Sequence, residues 1–101
     1  MKILLDIDDT ALIYNKKNKE YVEHKRLREL LLKHDVVLYS GNPDIELYYN
    51  KWGAKGFVPK EANYIPNADV LIDNNADLHI HDVNVKKSYR SIDLFFRFNK
   101  K

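Results

Sequence analysis

Residues 3–10 read ILLDIDDT, an apolar run that leads into three acids and a threonine. A short run of Ile and Leu is typical of a buried strand, and the polar residues then lie at its carboxyl end. Side chains alternate along a strand, so Asp6 and Asp8 share a face if the extended geometry continues. Two neighbouring carboxylates repel each other unless a cation lies between them. The pattern therefore favours a buried strand ending in a cation site over a surface turn, where Asp is also common.

The composition indicates a globular chain without disulfides or a membrane helix. The sequence has 101 residues, of which 45% are hydrophobic and 32% charged, and it has no cysteine. This length suits a single domain, residues 1–101, with one modest core. No apolar run approaches the roughly 18 residues of a membrane helix, and Asp6 interrupts the run that a signal peptide would need. Thiolate catalysis and cysteine-ligated metal sites are excluded, and a cytoplasmic location is expected.

The net charge of +2 hides an uneven distribution. Residues 1–83 contain 11 Lys and Arg against 14 Asp and Glu, whereas residues 84–101 contain 6 against 1. This basic end could attract a polyanion, but a solvated tail is the simpler explanation.

Segments with the period of strands and of helices alternate along the rest of the chain. Residues 11–20 are polar and suit a loop or a small hairpin, whereas residues 21–33 carry leucines at helical spacing. This alternation is typical of a parallel sheet whose strands are joined by helices. The remaining predicted strands are 36–39, 56–58, 68–73 and 78–81, and the remaining helices start at Asn42 and at Ser88 or Ser91.

Two side-chain patterns have both a structural and a functional interpretation. Tyr48, Tyr49 and Trp52 form an aromatic stripe at helical spacing, which favours core packing over a platform for stacking bases. His79 and His81 alternate in the strand predicted at 78–81, and such a pair on an edge strand is more often solvated than bound to metal.

Polar side chains also follow the apolar strands, at the point where each strand ends. In an open parallel sheet, ligands bind outside the carboxyl ends of the strands, so we expect these side chains to converge on one crevice. In chain order they are Asp6, Asp8 and Thr10, then Ser40 and Gly41, then Lys60, and finally Asp73.

This set of groups suits phosphoryl transfer. Carboxylates with water and phosphate oxygens are the ligands that Mg²⁺ prefers. One carboxylate can attack phosphorus, and a second can transfer protons to the leaving oxygen and from water. A hydroxyl and an ammonium can bind the transferred phosphoryl oxygens and offset their negative charge.

The order of these residues resembles the motifs of the haloacid dehalogenase superfamily. Residues 6–10 match its DxDx(T/V) motif, and a Ser, a Lys and a strand-terminal Asp follow in the family's order, across about residues 2–77. The resemblance implies a three-layer α/β/α, Rossmann-like fold with a mainly parallel sheet of about five strands. It also implies the following roles: Asp6 as nucleophile, Asp8 as general acid and base, Thr10, Ser40, Gly41 and Lys60 as phosphate-binding residues, and Asp6, Asp73 and the backbone carbonyl of Asp8 as ligands of Mg²⁺.

The chain departs from the family pattern in two places. Asp73 is followed by asparagines rather than by a second acid, and Asp77 gives the alternative D-x-x-x-D spacing. Two lysines flank the third strand; Lys60 follows it at the crevice end and is preferred to Lys55, which precedes it. The gaps in which family members carry a cap domain are too short here, so the resemblance implies a capless, open site. Capless members tend to act on large substrates or to borrow a lid from another subunit.

We therefore predict a Mg²⁺-dependent phosphatase that hydrolyses a phosphomonoester through an aspartyl-phosphate on Asp6. The alternatives are a binding or regulatory protein of the same fold with little or no turnover, a phosphotransferase, and a carboxylate-metal nuclease. The expected partner is a phosphorylated substrate, with a phosphoprotein or a nucleic-acid end among the options, and no membrane. Self-association into a homo-oligomer is left open.

Overall fold

A five-stranded parallel sheet forms the centre of the computed structural model, which describes residues 1–100. Its order is β5-β4-β1-β6-β7, and a separate antiparallel hairpin pairs β2 with β3. In chain order the strands are β1 (Lys2–Leu5), β2 (Leu12–Asn15), β3 (Glu20–Glu23), β4 (Asp35–Ser40), β5 (Gly56–Pro59), β6 (Val70–Ile72) and β7 (Lys87–Tyr89). The predicted α/β fold with a mainly parallel sheet of about five strands is confirmed at this level.

The central position of β1 follows from its sequence. Its Ile and Leu side chains are fully buried on both faces of the sheet, as expected for a strand flanked by parallel neighbours. Leu5 lies opposite Leu38 of β4 and Ile72 of β6. The residues that follow these three strands therefore emerge at the same edge of the sheet.

Within residues 1–100 the chain also forms four α-helices: α1 (Leu27–Lys33), α2 (Ile45–Trp52), α3 (Ala76–His79) and α4 (Ile92–Phe98). Apolar side chains of α1, α2 and α4 pack with Ile3 and Leu5 on one face of the sheet. The other face is covered by α3 and by the segment after β5, which packs Ala62 and Ala68 against its core cluster. The third layer is therefore thin.

The helix boundaries have local causes. Gly53 ends α2 in the left-handed conformation, with φ at +64°, which glycine adopts without strain. The Ser91 hydroxyl caps α4 by accepting a hydrogen bond from the Leu94 amide at 3.1 Å. The aromatic stripe of α2 packs into the core as predicted, with Trp52 buried and Tyr48 and Tyr49 against it. No helix in the described part of the chain is long and apolar enough to cross a membrane.

The prediction of a helix over 21–33 is wrong for nearly half of that range, residues 21–26. Tyr21 and Val22 belong to β3 and pair with Tyr14 and Ile13 of β2, and the helix begins only at Leu27. Aromatic and β-branched side chains favour a strand once a partner is available, and the two tyrosine rings pack edge to face at 5.3 Å. Of the two options for residues 11–20, the hairpin is correct.

The prediction of an edge strand over 78–81 is also wrong. These residues form the end of α3 and the start of a 3₁₀ turn, Ile80–Asp82, and the fifth strand is β7. The chain turns directly after β6, because the Asn75 amide donates to the Asp73 carboxylate at 2.8 Å and the Ala76 amide to the Asp73 carbonyl at 2.9 Å. His79 pairs with Asp82 at 3.5 Å, and His81 is exposed.

Candidate active site

The buried polar residues of the chain lie together at the carboxyl edge of the sheet. Among residues 1–100, the buried polar or charged residues are Asp6, Thr10, Ser40 and Asp73. Asp6 follows β1, Ser40 ends β4 and Asp73 follows β6. Burying a polar group costs free energy unless it is hydrogen-bonded, and burying a charge costs more. The fold therefore concentrates this cost at one edge of the sheet, where all four residues had been predicted.

Lys60 supplies the positive charge of this cluster. Its Nζ lies 2.7 Å from Oδ2 of Asp73 and 3.3 Å from Oδ1 of Asp6. Its backbone amide donates to the Ser40 carbonyl at 3.1 Å, which fixes the start of the side chain beside β4. Lys55 lies at the opposite end of β5, where its amide bonds to the Val36 carbonyl and its side chain is exposed. The lysine that meets the acids is therefore Lys60.

Asp6 has an altered acidity. Its pKa is raised from 3.8 to about 6: burial is the largest cause, the Asp73 carboxylate acts in the same direction, and the Lys60 ammonium opposes both. Asp6 is only 5% exposed, yet with a pKa near 6 its carboxyl group is mostly ionised at neutral pH. A buried carboxylate that ionises just below neutral pH is typical of functional sites.

Thr10 joins the two loops that carry the acids. Its hydroxyl accepts a hydrogen bond from the Asn74 amide at 3.0 Å and lies 3.2 Å from Oδ2 of Asp6 and 3.3 Å from Oδ1 of Asn74. Because a hydroxyl has one proton, it donates to only one of those two oxygens at a time. In the sequence, Asn74 stands where the family often carries a second acid. In the structure, it is the hydrogen-bond partner of Thr10.

The extended geometry that would place Asp6 and Asp8 on one face does not continue beyond Leu5. The strand ends at Leu5, and the amides of Thr10 and Leu12 both bond to the Ile7 carbonyl, which folds residues 7–12 into a turn. The Asp8 side chain is exposed, and its two carboxylate oxygens accept hydrogen bonds from the side-chain amide of Asn42, at 3.1 and 3.3 Å from Nδ2.

The loop after β4 carries groups that could bind an anion. The Ser40 hydroxyl oxygen accepts a hydrogen bond from the backbone amide of Asn42 at 3.0 Å. The hydroxyl proton is therefore available to another acceptor. Gly41 is exposed, and a Cβ there would have no atom within 4 Å, so this backbone is open to an approaching ligand. Asn42 also accepts from the Asp44 amide at 2.8 Å, so its side chain is held from two sides. The sequence predicts only a helix start at Asn42, whereas α2 begins at Ile45.

The predicted metal ligands converge in part. The side chains of Asp6 and Asp73 both contact the Lys60 ammonium. The predicted ligand from Asp8 is its backbone carbonyl, and its side chain bonds to Asn42 instead. Residues 1–100 contain no group of three or more His, Cys, Asp or Glu side chains arranged to hold a metal ion. Two carboxylates with water and phosphate oxygens are nevertheless a donor set that suits Mg²⁺. Asp77, the alternative acid, is exposed and pairs with Arg90.

Comparisons with known proteins add nothing to this geometry. No protein-family model, no curated protein and no solved structure matches the chain.

Proposed function

We propose that the chain is a Mg²⁺-dependent phosphatase of the haloacid dehalogenase kind, which hydrolyses a phosphomonoester through an aspartyl-phosphate on Asp6. The observation that supports this most is the burial of Asp6, Thr10, Ser40 and Asp73 at one edge of the sheet, with Lys60 between the two acids. Helix capping or a solvated turn would not require these groups to leave water, whereas a preorganised reaction site does.

In the first step, an Asp6 carboxylate oxygen attacks phosphorus and the bond from phosphorus to the leaving oxygen breaks. The pKa of Asp6, near 6, leaves the nucleophile ionised at neutral pH. Asp8 donates a proton to the leaving oxygen, and Asn42 orients its carboxyl group beside the Ser40 loop. Lys60 and the Ser40 hydroxyl bind the phosphoryl oxygens.

In the second step, Asp8 removes a proton from water, the water oxygen attacks phosphorus, and the bond from phosphorus to Asp6 breaks. Inorganic phosphate and the free Asp6 carboxylate result. Mg²⁺ held by Asp6, Asp73 and the backbone carbonyl of Asp8 would neutralise charge on the phosphoryl oxygens. Thr10 keeps the Asp6 loop attached to Asn74 through both steps.

The test is hydrolysis of p-nitrophenyl phosphate with Mg²⁺ and with EDTA. Wild-type activity should require Mg²⁺, and Asp6→Asn should abolish it because an amide is not a nucleophile at phosphorus. Asp9→Asn is the matched control: Asp9 is exposed, and Asn tolerates its left-handed backbone, with φ at +63°. Retention of full activity in Asp6→Asn would refute the assignment of the nucleophile.

One observation favours a second candidate, a binding protein with little or no turnover. The proton-transfer group Asp8 lies outside the buried cluster, while the ammonium of Lys60 already pairs with both Asp6 and Asp73. Such a protein should gain thermal stability from Mg²⁺ with beryllofluoride, a phosphoryl mimic, without hydrolysing any phosphomonoester. Rapid turnover of a phosphomonoester would eliminate this candidate.

A further inference from the structure

A groove opens beside the acid cluster, on the thin face of the sheet. Its volume is about 420 Å³, and its lining includes Lys60, Tyr39 and the segment after β5. Because the same lysine contacts Asp6 and Asp73, the groove is continuous with the proposed phosphate site. We call it the Tyr64 groove, defined by Tyr39, Lys60, Tyr64, Ile65, His81 and Asp82.

Large apolar side chains are unusually exposed in this groove. Tyr64 is 61% exposed and Ile65 is 62% exposed, and both line the groove with Tyr39 of β4. Hydrogen bonds fix the segment that carries them at both ends: the Ala62 amide donates to the Pro59 carbonyl at 3.0 Å, and the Asn84 amide to the Pro66 carbonyl at 2.9 Å. An aromatic ring on an anchored segment can stack against a flat ligand at a low cost in conformational entropy.

The charges in the groove restrict what can bind there. The Lys60 ammonium lies at the end that meets the acid cluster, and it is 5.5 Å from the centre of the Tyr39 ring. Asp82 lines the groove as well, and its side chain is 61% exposed. The pKa of Tyr39 is raised by burial and then by the Asp82 and Asp73 carboxylates, so its hydroxyl is protonated at neutral pH. A second anionic group is therefore disfavoured near Asp82, whereas N–H or O–H donors are favoured.

We propose that the Tyr64 groove binds the leaving group of the substrate, and that this group is an uncharged aromatic ring system bearing N–H or O–H donors, as in a nucleoside monophosphate. This rests on the proposed function, because it places the phosphoryl group at Asp6 and Lys60. The ring then stacks on Tyr64 and Ile65, and its donors face Asp82.

Kinetics on three substrates test the proposal: adenosine 5′-monophosphate, phosphotyrosine and glycerol phosphate. Tyr64→Ala should lower kcat/KM for adenosine monophosphate about tenfold, within the range that loss of base stacking on an aromatic side chain gives, and leave glycerol phosphate unchanged. A smaller loss is expected for phosphotyrosine, whose leaving group has a carboxylate. Tyr21→Ala is the control, since Tyr21 is 51% exposed but lies on the hairpin. Equal effects of Tyr64→Ala on all three substrates would overturn the proposal, and a larger loss for phosphotyrosine would overturn the assignment of a nucleoside.

Saturation-transfer NMR with adenosine separates failure of the groove from failure of the phosphatase assignment, because it needs no turnover. Ring protons of adenosine should receive saturation from the wild type and from Tyr21→Ala, and much less from Tyr64→Ala. This result in a protein that hydrolyses nothing would refute the phosphatase and support the groove. Absence of the signal in the wild type, in an active or an inactive protein, would overturn the groove.

Discussion

Replacing the Asp6 carboxylate by an amide should stabilise the folded chain at neutral pH. Folding raises the pKa of Asp6 from 3.8 to about 6, so between these values the folded state holds more protons than the unfolded state, and stability falls as pH rises. One unit corresponds to 1.36 kcal/mol, so the charged side chain costs about 3 kcal/mol above pH 6. Asn has nearly the same shape, has no charge to desolvate, and leaves Lys60 paired with Asp73.

The assay is urea unfolding of metal-free protein, monitored by the fluorescence of Trp52, the one tryptophan, which is buried. Asp6→Asn should raise the free energy of unfolding by about 3 kcal/mol at pH 7.5 but by only about 0.5 kcal/mol at pH 4, where wild-type Asp6 is protonated in the folded state and roughly half ionised in the unfolded state. Asp44→Asn is the control, because Asp44 is exposed and its side chain makes no capping hydrogen bond. A variant no more stable than the wild type at pH 7.5 would refute the idea that Asp6 is held charged at a cost.

Three further predictions concern the same cluster. A ¹³C NMR titration of metal-free protein should show an Asp carboxyl with a pKa near 6 that is missing in Asp6→Asn; titration of Asp6 near pH 4 would contradict the effect of its burial. Lys60→Gln should destabilise the fold by about 3 kcal/mol, because two buried carboxylates lose their counter-charge, whereas Lys55→Gln should change urea stability by less than about 0.5 kcal/mol. Thr10→Val should lower the free energy of unfolding by about 1 to 2 kcal/mol, since the Asn74 amide loses its acceptor; an unchanged urea midpoint would show that this link is dispensable.

Much of the fold could be predicted from the sequence because buried parallel strands have apolar side chains on both faces. The runs in β1, β4, β5 and β6 are of this kind, and each is followed by a polar residue. Parallel strands that start at one edge also end together, so the convergence of Asp6, Ser40, Lys60 and Asp73 follows from topology alone. The preference for Lys60 over Lys55 came from the same geometry.

The features of the fold and the site that the sequence did not predict depend on contacts between residues that lie far apart in the chain. Pairing with β2 decides that residues 21–23 form a strand and not a helix, and local leucine spacing does not contain that information. The direction of the Asp8 side chain is set by the turn after β1 and by Asn42, 34 positions away. The bond between Thr10 and Asn74 spans 64 positions. Spacing within one segment could not identify either asparagine as a partner.

Trapping the phosphorylated protein tests the central proposal most directly. The wild type would be mixed with excess phosphomonoester and Mg²⁺, quenched in acid within a turnover, digested and analysed by mass spectrometry. The mass of one phosphoryl group should appear on the peptide that contains Asp6, and it should be absent from Asp6→Asn. Turnover with no labelled peptide, or a label on another residue, would contradict the assignment of Asp6 as the nucleophile.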